Sequence, residues 1–327
     1  MNVFRLIAAA TAIALALPMA GHAETQKLRF TTSQVNPSEP IVVAMKGFAE
    51  RVGARSDGRL QLEILTGDQL GPQKKVNEMV ASGAKMISAT DYGQLSIFAP
   101  DVGVIAGPYV FADLAAADKL FASDVFKGLE AQLEAKGFKV VMPSGLFGLR
   151  HVIGSQAYRS PAEMEGVTIR VPSSPMMVST FTAFGARPTE LPWGDVYNAL
   201  QTNVVDAAEA PFGSIAGSKL QETRKVISRT GHQMMFTAWV TSKSYFDGLD
   251  PDLQQILLEE GQKTAKELTA LTLETDQRYA DELKAQGVEI VEDVDVAAFQ
   301  AAAKGAFDAV PGLTPGIVDQ VRAVVAQ

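Results

Sequence analysis

The chain has 327 residues, of which 47% are hydrophobic and 20% charged, and this composition excludes disordered, collagen-like and coiled-coil proteins. The formal net charge of −8 argues against a nucleic-acid-binding protein, because binding to phosphate normally requires an excess of positive charge. The sequence contains no cysteine, which excludes disulfides, zinc–thiolate sites and cysteine nucleophiles.

The N-terminus has the pattern of a secretory signal peptide, which we assign to residues 1–23. Arg5 gives the segment a positive start, and residues 6–17 are apolar except for Thr11. Ala23 is a small residue at a position that signal peptidase inspects, so we expect cleavage before Glu24 and a periplasmic mature protein. A transmembrane anchor is the alternative interpretation, but about 12 apolar residues are too few to span a bilayer comfortably.

Strand and helix patterns alternate in the part of the chain that follows. Alternating apolar residues predict strands near residues 28–30, 60–64 and 86–89. Helices are predicted to begin near Pro40 and Pro72, because proline is favoured in the first turn of a helix. Such alternation predicts an α/β fold with a largely parallel sheet.

A second lobe is predicted to begin near Gly145. Its predicted elements are strands at residues 149–153, 167–171, 204–207 and 225–228 and helices at residues 176–184 and 195–202. Two lobes also agree with the length of the chain, which exceeds what one ordinary domain core usually holds.

One exceptionally long helix is predicted near the C-terminal end of the chain. Asp250 is a suitable N-cap, Pro251 suits the first helical position, and Gly287 suits the C-terminal cap. The sequence has no further proline between these limits, so the helix can run for about 36 residues, or about 54 Å. Gly261 leaves open the alternative of two helices that break near this residue.

The motifs of several enzyme classes are absent from the sequence. It has no HExxH, GxSxG, GxxxxGK[ST] or GxGxxG motif, which argues against zinc hydrolases, α/β-hydrolases, P-loop enzymes and dinucleotide-binding enzymes. His151 and His232 are the only histidines after the predicted signal peptide. A carboxylate-dependent periplasmic hydrolase or lyase stays an alternative, since a catalytic pair of carboxylates has no sequence motif by which it could be found or excluded.

Short motifs follow one another in a definite order along the chain. In the second lobe they read GVTIRVP at 166–172, FGARP at 184–188, WGDVYNALQ at 193–201, VDAAEAP at 205–211 and TGH at 230–232. In the first lobe they read GDQLGP at 67–72, YGQL at 92–95 and PYVF at 108–111. In this order and spacing the set resembles the substrate-binding proteins of tripartite ATP-independent periplasmic (TRAP) transporters, over nearly the whole mature chain.

The resemblance implies two α/β lobes with a ligand cleft between them and a long helix that spans both. We expect lobe I to comprise residues 24–144 and about 236–275, and lobe II residues 145–235 and about 276–327. The implied function is a monomeric solute-binding protein, not an enzyme, that captures a small organic anion (a carboxylate or sugar acid) without a cofactor. We assign no metal-ligating residues, and the sequence leaves open whether a metal ion assists ligand binding. Its implied partner is a two-subunit membrane permease driven by an ion gradient. A receptor for an ATP-driven importer is the alternative within the same class.

Arg170 is the principal candidate for a ligand contact. It lies at the end of an apolar strand, just before Pro172, where burial of a guanidinium is costly unless an anion pairs with it. A guanidinium can hold a carboxylate through two parallel hydrogen bonds, which a lysine cannot reproduce. An ion pair with a protein carboxylate is the structural alternative, but the resemblance places the carboxylate-clamping arginine of the family here.

The resemblance adds four further candidates in the second lobe. Arg150 matches a second arginine that contacts the ligand or gates the cleft, and Trp193 matches an aromatic residue near the cleft. Glu209 and His232 match positions that form a buried network beside the arginines. For these last two, a core pair without ligand contact is the alternative.

The first lobe offers Asp91 and Tyr92 as candidates, because both follow a predicted strand. Two positions depart from the pattern of the family. Many relatives have asparagine where this chain has Ala210, and often also near Ser173, which we keep as a candidate ligand contact. Loss of both amides leaves fewer hydrogen-bond donors and a wider pocket, so the ligand is expected to differ from dicarboxylates and sialic acids.

Overall fold

The structure, a computed structural model, describes residues 25–326, and the predicted signal peptide lies outside them. One sheet contains the strands β1 (Gln26–Thr32), β2 (Leu60–Thr66), β3 (Met86–Asp91), β4 (Phe138–Gly154), β5 (Thr168–Val171), β6 (Arg187–Glu190), β7 (Ala207–Ala210), β8 (Val226–Ser242) and β9 (Glu289–Val291). The helices are α1 (Pro40–Arg55), α2 (Gln73–Ala81), α3 (Tyr92–Leu95), α4 (Leu114–Phe121), α5 (Asp124–Ala135), α6 (Pro175–Ala183), α7 (Val196–Gln201), α8 (Phe212–Gly217), α9 (Lys243–Asp247), α10 (Pro251–Ala285), α11 (Val296–Ala302) and α12 (Ile317–Val325). None of these described helices is both long and apolar enough to cross a membrane.

The sheet consists of two parallel halves joined by antiparallel strands. Its order is β2-β1-β3-β8-β4-β7-β5-β6, with β9 beside β8. In lobe I, β1 pairs in parallel with β2 and β3, and in lobe II, β5 pairs in parallel with β6 and β7. The strands β4 and β8 run antiparallel to each other and join the two halves. The predicted parallel sheet is therefore found within each lobe but not between the lobes.

The long strands β4 and β8 belong to both lobes, since each has 17 residues. The strands predicted at 149–153 and 225–228 are parts of them. Register shifts interrupt their ladder at several points between Val140 and Val152, and Gly148 in this stretch has a φ of 140°. A ladder with such irregularities bends more easily than a regular one, so we expect the lobes to flex here.

The strand predicted at 204–207 is wrong in position, because β7 begins only at Ala207. Val205 is buried, but Val204 is 59% exposed in the preceding turn. Val204 and Val205 together give the sequence pattern of an apolar strand, although only Val205 faces the core.

The helix α10 is a single element of 35 residues, so the alternative of two helices is wrong. Gly261 lies inside the helix and allows its backbone to approach β4, since a Cβ there would lie 1.7 Å from the carbonyl oxygen of Val141. The helix contacts α1 of lobe I and α8 of lobe II. Thr269 and Thr272 also hold it to β4 through hydrogen bonds with the backbone of Leu146.

The C-terminal helix α12 packs against lobe I. Its Ile317 and Val321 join a core cluster that also contains Leu120 of α4, Phe126 of α5 and Phe236 of β8. The sequence assigned this end of the chain to lobe II. We propose that residues 307–326 belong to lobe I instead, because their apolar side chains complete its core.

Candidate ligand-binding cleft

A cleft that is partly open to solvent lies between the two lobes at the carboxyl ends of the parallel strands. In α/β folds this is the usual position of a ligand site, because loops that follow the strands converge there. Lobe I contributes the end of β1, the end of β3 and Gln73 at the start of α2. Lobe II contributes Arg150 from β4, Arg170 from β5 and Trp193 from the segment after β6.

The Arg170 guanidinium is buried in the cleft without a carboxylate partner. Only 3% of Arg170 is exposed, and its Nε and Nη2 both donate to the carbonyl oxygen of Leu191, at 2.9 and 2.7 Å. The guanidinium lies 5.3 Å from the ring centre of Trp193. No carboxylate among the described residues lies within salt-bridge distance of it. Burial lowers the pKa of Arg170 to about 10, so an anion that enters the cleft stabilises the charged form.

Arg150 is paired within the protein. Its Nη2 donates to Glu209 Oε1 at 2.5 Å and to the Glu209 carbonyl at 3.0 Å, and its Nε also donates to the Glu209 carboxylate. Burial raises the pKa of Glu209, but the charges and hydrogen bonds of Arg150 and His232 outweigh it and lower the value to about 2. The charge of Arg150 is therefore compensated, whereas that of Arg170 is available to a ligand.

His232 completes this network behind the cleft. Its Nε2 lies 3.3 Å from Glu209 Oε2, and its Nδ1 lies 2.8 Å from Thr230 Oγ1. Because a carboxylate only accepts, Nε2 carries the proton and donates to Glu209. Burial lowers the pKa of His232, which favours the neutral ring. Neither Glu209 nor His232 lines the cavity, so both act on the cleft through Arg150.

The two first-lobe candidates, Asp91 and Tyr92, lie in different surroundings. Asp91 lines the cleft and caps α3, where its carboxylate accepts from the backbone nitrogen of Gln94 at 3.0 Å and from its side chain at 2.8 Å. Tyr92 points into the core, where its hydroxyl donates to the carbonyl of Pro143 and its ring packs on Phe126. The prediction of Tyr92 at the cleft is not supported, because β3 ends at Asp91 and Tyr92 begins α3 with its side chain in the core.

Ser173 does not line the main cleft. It lines a smaller adjoining cavity that also contains Arg170, Trp193 and Gln73. Ala210 lines the main cleft beside Pro211, so the departure from asparagine removes an amide from the cavity wall itself.

Sequence reasoning missed most of the neutral polar groups of the cleft. These are the side chains of Thr32, Ser33, Gln34, Gln73, Thr90, Gln94, Ser214, Gln233 and Thr237. Gln94 belongs to the YGQL motif and Gln73 follows GDQLGP, so the motifs held a usable signal for these two. The others come from the end of β1, from β3, from α8 and from β8, which are distant in sequence and meet only in the folded chain.

Contacts across the cleft hold the lobes in a closed arrangement. Ser214 Oγ of lobe II donates to Glu39 Oε1 of lobe I at 2.7 Å. The backbone nitrogen of Gly194 donates to Asp68 Oδ2 at 3.2 Å. These pairs join residues that are distant in sequence, and opening of the cleft would separate both. The described residues contain no group of three or more His, Cys, Asp or Glu side chains arranged to hold a metal ion.

The comparison with known families identifies the chain. Residues 31–310 match the family described as "Bacterial extracellular solute-binding protein, family 7" (DctP). The chain belongs to this family. Family 7 proteins are the binding components of TRAP transporters, so the chain is a solute-binding protein of a TRAP system and not an enzyme. The alternatives of an ATP-driven importer and of a hydrolase or lyase do not hold.

Individual relatives align with most of this family 7 protein. The 2,3-diketo-L-gulonate-binding periplasmic protein of Escherichia coli is 32% identical over 277 residues, which are 84% of this chain and 83% of the relative. A TRAP periplasmic solute-binding protein from Ochrobacterium anthropi, solved with bound L-fuconate, has a TM-score of 0.88 and 32% identity, covering 91% of this chain and 99% of the other. One from Actinobacillus succinogenes with bound L-galactonate has a TM-score of 0.89 and 28% identity, covering 92% and 100%. These structures confirm the predicted two-lobed α/β fold with its long helix.

Proposed function

We propose that this family 7 protein binds a hydroxylated monocarboxylate, namely a sugar acid, in the cleft between its lobes. The observation that carries the proposal is the buried guanidinium of Arg170, which has no carboxylate partner among the described residues. A ligand carboxylate would supply the missing charge through a charge-assisted hydrogen bond.

The remaining cleft groups favour hydroxyls over further acidic groups. Besides Arg170, the charged side chains of the lining are Arg150, which Glu209 compensates, and Asp91, which is itself acidic. Asp91 can accept hydrogen bonds from ligand hydroxyls but would repel a second carboxylate. The glutamine, serine and threonine side chains of the lining can donate to hydroxyls or accept from them.

Each candidate residue then has a distinct role. Arg170 holds the carboxylate, and the ring of Trp193 covers an apolar face of the ligand. Arg150 donates through its remaining nitrogen to the sulfur of Met235 in the cleft wall, at 2.8 Å, while Glu209 and His232 fix its orientation from behind. Asp91 binds a hydroxyl from lobe I, and Ser173 contacts the part of the ligand that reaches the adjoining cavity.

The ligands of relatives support this class. The named ligands of the E. coli protein and of the two solved structures are 2,3-diketo-L-gulonate, L-fuconate and L-galactonate. All three combine one carboxylate with a chain of oxygenated carbons. We therefore propose the same general class for this chain.

We further propose that the mature protein acts as a monomer in the periplasm, after cleavage before Glu24. There it would deliver its ligand to a TRAP permease of two membrane subunits, with no role for nucleic acid. The signal-peptide pattern and the family support this location and partner.

A thermal-shift panel tests the proposal. The panel contains L-fuconate, L-galactonate and 2,3-diketo-L-gulonate, with L-fucose as the matched compound that lacks the carboxylate. A ligand at one hundred times its Kd should stabilise the protein by about 2.7 kcal/mol, whereas L-fucose should have no effect. Equal stabilisation by L-fucose, or none by any sugar acid, would contradict the proposal.

A further inference from the structure

Glu39 and Ser214 form a hydrogen-bonded pair that joins the lobes beside the cleft. Glu39 precedes α1, but its side chain makes no capping bond and instead reaches lobe II. Its Oε1 accepts from Ser214 Oγ at 2.7 Å, and its Oε2 is buried without a hydrogen-bond partner among the described residues. Only 3% of Glu39 and 2% of Ser214 is exposed.

The pair lies at the end of the cleft that is remote from Arg170. At one end, Arg170 and Trp193 are shared with the adjoining cavity that Ser173 lines. At the other end, Ile41 and Ser214 are shared with a small side cavity that Glu39 lines. A ligand whose carboxylate binds Arg170 therefore extends its far end toward Ser214.

The hydrogen bond decides what Ser214 can offer to a ligand. A serine hydroxyl has one proton, and Ser214 donates it to Glu39. Only the lone pairs of its oxygen are left for the cleft, so it accepts from a ligand hydroxyl. A ligand carboxylate at the same place would meet an acceptor oxygen with the Glu39 carboxylate directly behind it, and neither supplies a proton.

From this geometry we propose that Glu39, through Ser214, makes the closed cleft select against a second carboxylate at the far end of the ligand. The inference rests on the proposed sugar-acid function and makes Glu39 a specificity-determining residue that acts through Ser214. Rejection by an unpaired charge is a general means of discrimination between similar ligands.

The selection should depend on pH. Burial raises the pKa of Glu39 to about 7, against the opposing effect of the Ser214 hydrogen bond. The titratable groups that face it are Asp276 and Tyr279 of α10, and the neighbours from α1, α8 and β4 in the side cavity are uncharged. Arg229 in turn lowers the pKa of Asp276, which burial raises. Glu39 is thus mostly neutral at pH 6 and ionised at pH 8, while ligand carboxylates stay ionised throughout.

Matched pairs of sugar acids provide the test. L-galactonate and galactarate share the same hydroxylated chain, but galactarate has a carboxylate in place of the terminal hydroxymethyl group, and D-gluconate and D-glucarate form a second pair. Calorimetry at pH 8 should show the monocarboxylate bound about a hundredfold tighter, because like charges in a desolvated site repel strongly. At pH 6 the ratio of the dicarboxylate Kd to the monocarboxylate Kd should be about tenfold smaller than at pH 8.

Two variants isolate the role of Glu39. Glu39→Gln keeps an oxygen that accepts from Ser214, so affinity for the monocarboxylate should stay near that of the unmodified protein. Its preference over the dicarboxylate at pH 8 should fall about tenfold and become independent of pH. Asp276→Asn removes the other carboxylate of the side cavity and should leave the preference unchanged.

The outcomes separate this inference from the proposed function. An unchanged preference in Glu39→Gln at pH 8, or an equal loss in Asp276→Asn, overturns the inference alone. Tight binding of the dicarboxylates to the unmodified protein also overturns it, together with the restriction of the proposed function to monocarboxylates, while the sugar-acid site at Arg170 stands. Failure of both monocarboxylates to bind would overturn the proposed function, and the inference with it.

Discussion

At the scale of single residues, the two cleft arginines differ because of their partners. Arg150 forms a buried pair with Glu209, whereas Arg170 donates only to the carbonyl of Leu191. A carbonyl dipole compensates a buried charge much less than a carboxylate does. The charge of Arg150 is thus neutralised within the protein, whereas the charge of Arg170 is left for a ligand carboxylate to neutralise.

Replacement of Arg170 by lysine tests this difference. Arg170→Lys keeps the charge but loses the planar fork of donors, so affinity for a bound sugar acid should fall about a hundredfold. Titration calorimetry measures the change, with Arg187→Lys on the exposed side of β6 as the control that should retain affinity. Near-native affinity in Arg170→Lys would show that this arginine does not hold the carboxylate.

Replacement of Glu209 by glutamine tests the compensated pair. Glu209→Gln leaves Arg150 buried without its counter-charge and should lower the free energy of unfolding by about 3–5 kcal/mol at pH 7. The folded-state pKa of Glu209 is lowered from 4.5 to about 2, so its contribution is present above pH 4.5 and is lost as the pH falls toward 2.

Urea denaturation at pH 7 and pH 3 measures both effects. The difference in the free energy of unfolding between Glu209→Gln and the unmodified protein should be smaller at pH 3 than at pH 7. Glu292→Gln is the matched control, because Glu292 pairs with Arg229 at the surface, where such a pair contributes at most about 1 kcal/mol. An equally small effect of both substitutions would contradict the structural importance of the buried pair.

At the scale of elements, α10 connects the lobes because it lies close against β4. Gly261 permits this approach, and ion pairs from Arg51 and Arg55 to Glu260 hold the same part of the helix to α1. The first half of α10 is therefore fixed to lobe I, and its later contact with α8 reaches lobe II. Such a helix can transmit a change in the angle between the lobes.

A methyl group at position 261 should disrupt this packing. Gly261→Ala places a Cβ 1.7 Å from the Val141 carbonyl oxygen, so the helix must shift away from β4. We expect the free energy of unfolding to fall by about 1–3 kcal/mol, the usual cost of overpacking. Gly128→Ala in α5 meets no atom within 4 Å and should be neutral or stabilising. If chemical denaturation gave the same free energy of unfolding for Gly261→Ala and Gly128→Ala, this role of Gly261 would be contradicted.

At the scale of the whole molecule, the closed arrangement depends on few contacts between the lobes. Ser214 with Glu39 and Gly194 with Asp68 bridge the cleft, while β4 and β8 cross between the lobes with irregular pairing. A ligand favours closure only through contacts that it makes in the closed state and not in the open one. Since both arginines belong to lobe II, the groups that respond to closure are Asp91 and the glutamines of lobe I.

Closure on ligand binding should therefore make the protein more compact. Small-angle scattering of the protein with a saturating sugar acid should give a smaller radius of gyration than without it. Arg170→Lys at the same ligand concentration should stay close to the unliganded value, because too little of it is bound. An unchanged radius at saturation, from an unliganded form shown to be open, would mean that this account of the hinge is wrong.

The sequence by itself determined the features that depend on local patterns. Alternation of apolar residues predicted the α/β class, and the caps of α10 with no proline between them predicted a single long helix. The ordered motifs predicted the family. Arg170 and Trp193 of these motifs line the cleft, as does Asp91, which was chosen from its position after a strand, and their contact with a ligand stays a prediction. These predictions succeed because periodicity, capping and motif spacing are properties of residues that are close together along the chain.

Only the tertiary structure decided how distant residues combine. The pairing of Arg150 with Glu209, the packing of α12 on lobe I, the inward turn of Tyr92 and the contact of Glu39 with Ser214 follow from no local pattern. Each depends on how elements distant in sequence pack, such as β4 beside β7 and α8 beside the start of α1, and this packing sets the distances over which charges and hydrogen bonds act. Whether a buried charge is compensated or available to a ligand depends on those distances, and the residue type alone does not specify them.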